Sequence, residues 1–138
     1  MRVTTTYKYP AGGTRNGRVY PPEVLKKAFE EPRFKELCVT KSIPVVEYEQ
    51  DQVIGFATAS LEDGNVTTVD ASIFDPVYIG ILKEISKPID FGFTLAGTGE
   101  FDVHEDKTII TNVTFDKAYL FKKDLAVDCY TTIHKAEE

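Results

Sequence analysis

Asp63-Gly64, set between two runs that alternate apolar and polar residues, does most to limit what this chain can fold into. The pair readily takes the positive φ of a tight turn, so residues 52–61 and 65–73 are expected to pair as an antiparallel hairpin. Further β-like runs, rich in Val, Thr, Tyr and Phe, cover 2–9, 39–48, 89–96, 100–103, 107–120 and 125–133. The polar stretch His104-Glu105-Asp106 predicts a second hairpin. The longest alternating run is expected to lie centrally, with Ile110, Val113, Phe115, Tyr119 and Phe121 supplying much of the core.

Two helices interrupt the strands. Pro21 and Pro22 bring the fixed φ of a first helical turn, and Val24, Leu25, Ala28 and Phe29 then recur on one face. Pro32 is expected to end or kink this helix, with Phe34 and Leu37 covering its exit. The second opens at Asp75-Pro76, a cap followed by N1, and runs through Val77, Tyr78, Ile81, Leu82 and Ile85 until Pro88. The pattern predicts a single α+β domain over 1–138: a mostly antiparallel sheet or open β-barrel with two short helices packed outside.

A hydrophobic share of 42% and a charged share of 28% exclude a disordered tail. No apolar run reaches the roughly 18 residues of a membrane span, and the start lacks the apolar stretch of a signal peptide, so a cytoplasmic location is expected. The charge is uneven: residues 1–37 carry +4 and the remainder −10. Such a balance disfavours non-specific nucleic-acid binding, leaves a small basic arm around Lys8, Arg15 and Arg18, and lets the acidic body meet a basic partner surface. Cys38 and Cys129 both fall in apolar β-like runs and read as reduced core residues. With His104 and His134 they make no metal-ligand spacing, and neither metal nor cofactor is expected. Short strands leave edges, and Tyr7, Tyr9 and Tyr20 suggest an aromatic surface on which two copies pair as a symmetric dimer.

Most motifs have plain structural readings. Gly97-Thr98-Gly99 resembles a phosphate-cradling loop, but the residues after it read as strand rather than helix, so a simple turn is expected. Asp70, Asp75 and Glu84, or Glu47 and Glu49, supply carboxylates without any sign that they meet. His104 reads as an exposed hairpin tip, and His134 as part of a fraying polar tail.

The stretch from Thr14 to Leu25 carries more. Asn16-Gly17 makes a turn, Arg18 and Tyr20 alternate in extended backbone, and the prolines launch the helix. Arg15 and Arg18 are forked donors suited to carboxylate or phosphate, and with Tyr20 they form the candidate binding set. Arg18 is expected to make an internal bond and Arg15 to be the more exposed. Asn16-Gly17-Arg18-Val19-Tyr20-Pro21 resembles the Asn-Gly-Arg-x-Tyr-Pro motif near the N-terminus of tailed-phage prohead proteases, the capsid maturation endopeptidases. Ile43-Pro44-Val45 and Val53-Ile54-Gly55 look like that family's strand region, and Phe91-Gly92-Phe93-Thr94-Leu95 lies where its nucleophile strand would be.

The departures matter as much as the match. A serine protease needs a hydroxyl activated by a histidine that a third group orients. Here no histidine precedes Val53-Ile54-Gly55, and the nucleophile position holds Thr94. The resemblance therefore implies a divergent relative: a non-catalytic phage or prophage-encoded binding protein. Its partner would be a capsid-assembly component, a host defence protein or a small ligand, in the host cytoplasm or associated with the virion. The alternatives are an endopeptidase using Thr94 with His104, and a structural virion subunit.

Overall fold

A computed structural model describes residues 1–9, 13, 17–47, 50–84, 91–122 and 130–135. The expected hairpin is its centre: β4 (Gln52–Glu62) and β5 (Val66–Ile73) pair antiparallel down to Glu62 opposite Val66. Asp63 and Gly64 make the turn at φ 51° and 79°. On the far edge of β5 lies β1 (Arg2–Lys8), also antiparallel, and beyond it β8 (Tyr130–Lys135). On the far edge of β4 lies β3 (Ile43–Glu47), which pairs in parallel with the end of β7 (Lys107–Lys122). β7 takes β6 (Phe91–His104) antiparallel along its other edge, and the two-residue β2 (Arg18–Val19) in parallel near its start. β8 comes alongside β6 in space, so this one sheet curls into an open barrel.

The interior follows strand alternation. Val3, Thr5 and Tyr7 on β1 and Thr67, Val69, Ala71 and Ile73 on β5 are buried, while their neighbours are less so. On β4 the alternation breaks at a bulge: Val45 pairs with Gly55 and Val46 with Val53, leaving Ile54 as an extra residue. Of the expected core of β7, Ile110 and Phe115 are buried and Val113 and Tyr119 half-buried. The Phe121 side chain lies outside the described residues.

There are three helices among the described residues, where the sequence reading expects two. α1 (Pro22–Glu30) ends where expected, but Pro32, instead of only stopping it, opens α2 (Pro32–Val39). Proline suits a first turn because its missing N–H has no partner there in any case. The Glu31 carboxylate supplies the cap, accepting the N–H groups of Arg33 at 3.1 Å and Phe34 at 2.9 Å. The helix then absorbs Cys38 and Val39, which the sequence reading assigns to strand, and Lys41 at φ 55° turns the chain into β3. Phe29 and Phe34 bind α1 and α2 to the barrel by packing on Phe115, with ring centroids 6.1 and 5.6 Å away. α3 (Pro76–Glu84) begins as expected, with Asp75 Oδ1 accepting the Val77 N–H at 3.0 Å.

Other expectations need correction. Gly97-Thr98-Gly99 is not a turn: it lies inside β6, which runs through the expected gap between two strands. At Gly97 an added Cβ would meet the Thr114 carbonyl oxygen, and at Gly99 it would lie 2.6 Å from that of Asn112. The glycines let β6 cross close over β7, whose extra residues Thr111 and Asp116 form bulges there. His134 does not sit in a frayed tail, since its backbone stands in β8 opposite Thr4. Tyr7 and Tyr9 are buried and β1 has a strand on both sides, so these two tyrosines form neither the expected aromatic surface nor a sheet edge.

Candidate functional site

The N-terminal motif is tied to the barrel at three places. Gly17, at φ 81°, accepts the Thr108 N–H at 3.0 Å, and Arg18 and Val19 then run beside Thr108 and Ile109. Tyr20 follows, half-buried, with its ring 4.7 Å from Tyr9, whose ring is 5.3 Å from Tyr7. Tyr9 in turn is held to Asn65 by its N–H at 3.0 Å and by an Asn65 side-chain bond to its carbonyl at 3.2 Å. Pro22 packs against the Gly64 turn. The motif thus joins the start of β7, the end of β1 and the β4–β5 turn, and delivers α1 to the barrel wall over β4 and β7.

Of the candidate binding residues, Arg18 is exposed on β2 and Tyr20 belongs to the tyrosine stack. Arg15 lies outside the described residues. Beside them, between α1 and the β4–β5 turn, runs an open groove of about 650 Å³ lined by Pro22, Phe29 and Leu61 with Glu23, Lys26 and Glu30.

The candidate catalytic pair is not brought together. Thr94 lies on β6 opposite Tyr119 and is 5% exposed. His104 ends the same strand opposite Lys107, exposed at the hairpin tip as expected. Ten residues of extended chain at about 3.3 Å each hold the two roughly 30 Å apart.

The carboxylates have separate structural partners. Asp70 accepts the Arg2 guanidinium, and this pairing pushes the Arg2 pKa up. Asp75 caps α3 and accepts the Gln52 amide at 2.9 Å. Buried Glu47 accepts the Gln50 N–H. The Glu84 side chain and Glu49 lie outside the described residues. No group of three His, Cys, Asp or Glu among the described residues is arranged to hold a metal ion. Cys38 is a half-buried free thiol on α2, and Cys129 lies outside the described residues. No helix among the described residues is long and apolar enough to cross a membrane.

The second hairpin forms at His104–Lys107 as expected, but sequence reasoning missed that β6 runs unbroken through Gly97–Gly99 into an exposed arm. From Gly97 to Lys107 every residue is exposed, including Phe101 at 59% and Val103 at 64%. Two glycines spaced i, i+2 inside a β-like run were the available signal, since that spacing marks a close backbone approach as well as a turn. No protein-family model, curated protein or solved structure matches the chain.

Proposed function

We propose that the chain is a non-catalytic, phage or prophage-encoded binding protein with a prohead-protease-like fold. Its partner is a protein, either a capsid-assembly component or a host defence factor. The observation that carries the non-catalytic reading is the position of Thr94, buried in β6 and ten residues from His104 along the same strand. A nucleophile must be reachable by the scissile carbonyl and within about 3 Å of its base. The groove between α1 and the β4–β5 turn supports a binding role, because it is open and is lined by the apolar Pro22, Phe29 and Leu61 beside the charged Glu23, Lys26 and Glu30.

The test is incubation of the purified protein alone and with a casein-type substrate, followed by mass spectrometry. No cleavage is expected, and Thr94→Ala should capture the same partners from a host lysate as the parent chain. Time-dependent cleavage that disappears in both Thr94→Ala and His104→Ala would overturn the binding reading and put the endopeptidase first.

A further inference from the structure

Leu95 donates its backbone N–H away from β7, to the Tyr7 hydroxyl at 3.2 Å. Backbone N–H groups point to alternate edges along a strand, so those of Gly97, Gly99, Phe101 and Val103 face the same outer edge of β6. Among the described residues no strand is laddered to that edge: β8 comes alongside β6 without pairing, and from Gly97 onward every residue of the arm is exposed. Natural edges are usually blunted by lysine, proline or a bulge in the edge strand. Here Gly97–His104 contains neither lysine nor proline and both bulges belong to β7, so the edge is guarded by the Glu100 and Asp102 carboxylates alone, which repel an acidic strand and not a basic one.

The two faces of this edge differ in chemistry. Alternation puts Glu100 and Asp102 on one face and Phe101 and Val103 on the other. At the tip Glu105 and Asp106 add to the acidic charge, with Lys107 the one positive side chain of the hairpin from Gly97 to Lys107. A complementary strand therefore alternates cationic and apolar residues. A second copy of the arm fits poorly. Antiparallel pairing centred on Phe101 sets Glu100 opposite Asp102 twice, and centring it one residue to either side sets Glu100 or Asp102 against itself.

We infer that the outer edge of β6 from Gly97 to His104 accepts an extended segment of a partner protein as an added strand, the segment alternating lysine or arginine with apolar residues. This rests on the binding-protein reading and names its surface and the chemistry of its partner.

The probe is a synthetic eight-residue peptide alternating Lys and Val, N-methylated on every second residue so that only one edge can pair. Titrated into the ¹⁵N-labelled full chain, it should bind saturably, shift the amides of Gly97–His104, and bind at least tenfold tighter than the matching Glu–Val peptide. A Lys–Val peptide methylated on every backbone nitrogen keeps its charge but cannot form a ladder, and should lose the same tenfold. Val103→Pro, which removes one outward N–H, and the double variant Glu100→Lys/Asp102→Lys should each weaken binding at least tenfold with an unchanged melting temperature. Equal affinity for the Glu–Val or fully methylated peptide, or unchanged binding in both variants, would overturn the inference. So would concentration-dependent broadening of these amides without peptide, lost in Val103→Pro, which would assign the edge to a second copy. None of these outcomes touches the proteolysis assay on Thr94, so the failure of this surface and of the binding reading remain distinguishable.

Discussion

The Tyr7 hydroxyl reaches from β1 to the backbone N–H of Leu95 on β6, 3.2 Å away, and joins two strands that share no ladder. The same oxygen lies 3.2 Å from the Tyr9 hydroxyl. Tyr20 covers Tyr9, so the N-terminal motif and β6 connect to each other through three tyrosines. The bond also takes the last outward N–H of β6 before the exposed arm begins.

Tyr7→Phe keeps the ring and removes that acceptor, leaving the buried Leu95 N–H without it. A buried donor so orphaned costs about 1–3 kcal/mol. Urea unfolding should show a loss in that range with an unchanged m-value, and faster hydrogen exchange at Leu95.

Gly97→Ala should destabilise more than its exposure suggests. Neither Gly97 nor Gly99 has positive φ, so the alanine meets no conformational penalty of its own. It meets the Thr114 carbonyl, a backbone atom that cannot swing aside. Overpacking of this kind costs about 1–3 kcal/mol, and Gly99→Ala should act in the same sense. Thr98→Ala, between them and exposed, serves as the control and should be within about 0.5 kcal/mol of the parent in urea unfolding.

What the sequence made legible was local. Asp63-Gly64 could be read as a hairpin because the turn's backbone requirement is met by the two residues themselves, and Asp75-Pro76 as a helix start for the same reason. Pro32 is ambiguous in sequence because proline both stops one helix and starts the next, and only the Glu31 carboxylate, reaching two N–H groups, decides between them. Cys38 and Val39 form part of a short apolar run that suits strand and buried helix alike. Gly97 and Gly99 resemble a turn in sequence because the strand they make room for is β7, whose bulges lie well beyond local sequence. In the candidate site, Arg18 and Tyr20 were found from local pattern. The burial of Thr94 and the partner of Tyr7, 88 residues away, depend on how the sheet closes.

Glu31→Ala should cost about 0.5–2 kcal/mol, the usual range for a lost N-cap. Its carboxylate accepts from Arg33 and Phe34 at the start of α2, where a negative charge also meets the positive end of the helix dipole. Glu31→Gln keeps an acceptor without the charge and should fall between the two. Thermal melts of the three proteins at low ionic strength check the order.

Burial pushes the Cys38 thiol up, offset in part by a hydrogen bond with the Ala59 backbone. In a Cys129→Ser background, alkylation by iodoacetamide at pH 8 should be slower than for a free cysteine peptide, and its rate should keep rising above the usual thiol range. The linked stability effect has a definite sign. A thiol whose pKa is raised by folding adds stability that is present below the unfolded pKa and lost as pH rises through the folded one. Cys38→Ala should remove that alkaline decline.

Thr5 on β1 and Thr67 on β5 put fully buried hydroxyls on the inner face of the barrel, and neither oxygen has a hydrogen-bond partner among the described residues. Thr5 pairs with Val69 and Tyr7 with Thr67, so the two threonines are diagonal neighbours across the ladder. A buried hydroxyl without a partner costs about 1–3 kcal/mol on protein scales. Valine keeps the β-branched shape and the strand preference while removing that polar atom. Thr5→Val and Thr67→Val should therefore each raise stability by about 1 kcal/mol in urea unfolding, and the double variant should approach their sum. A loss of stability in either single variant, recovered in the double, would instead mean that the two hydroxyls satisfy each other.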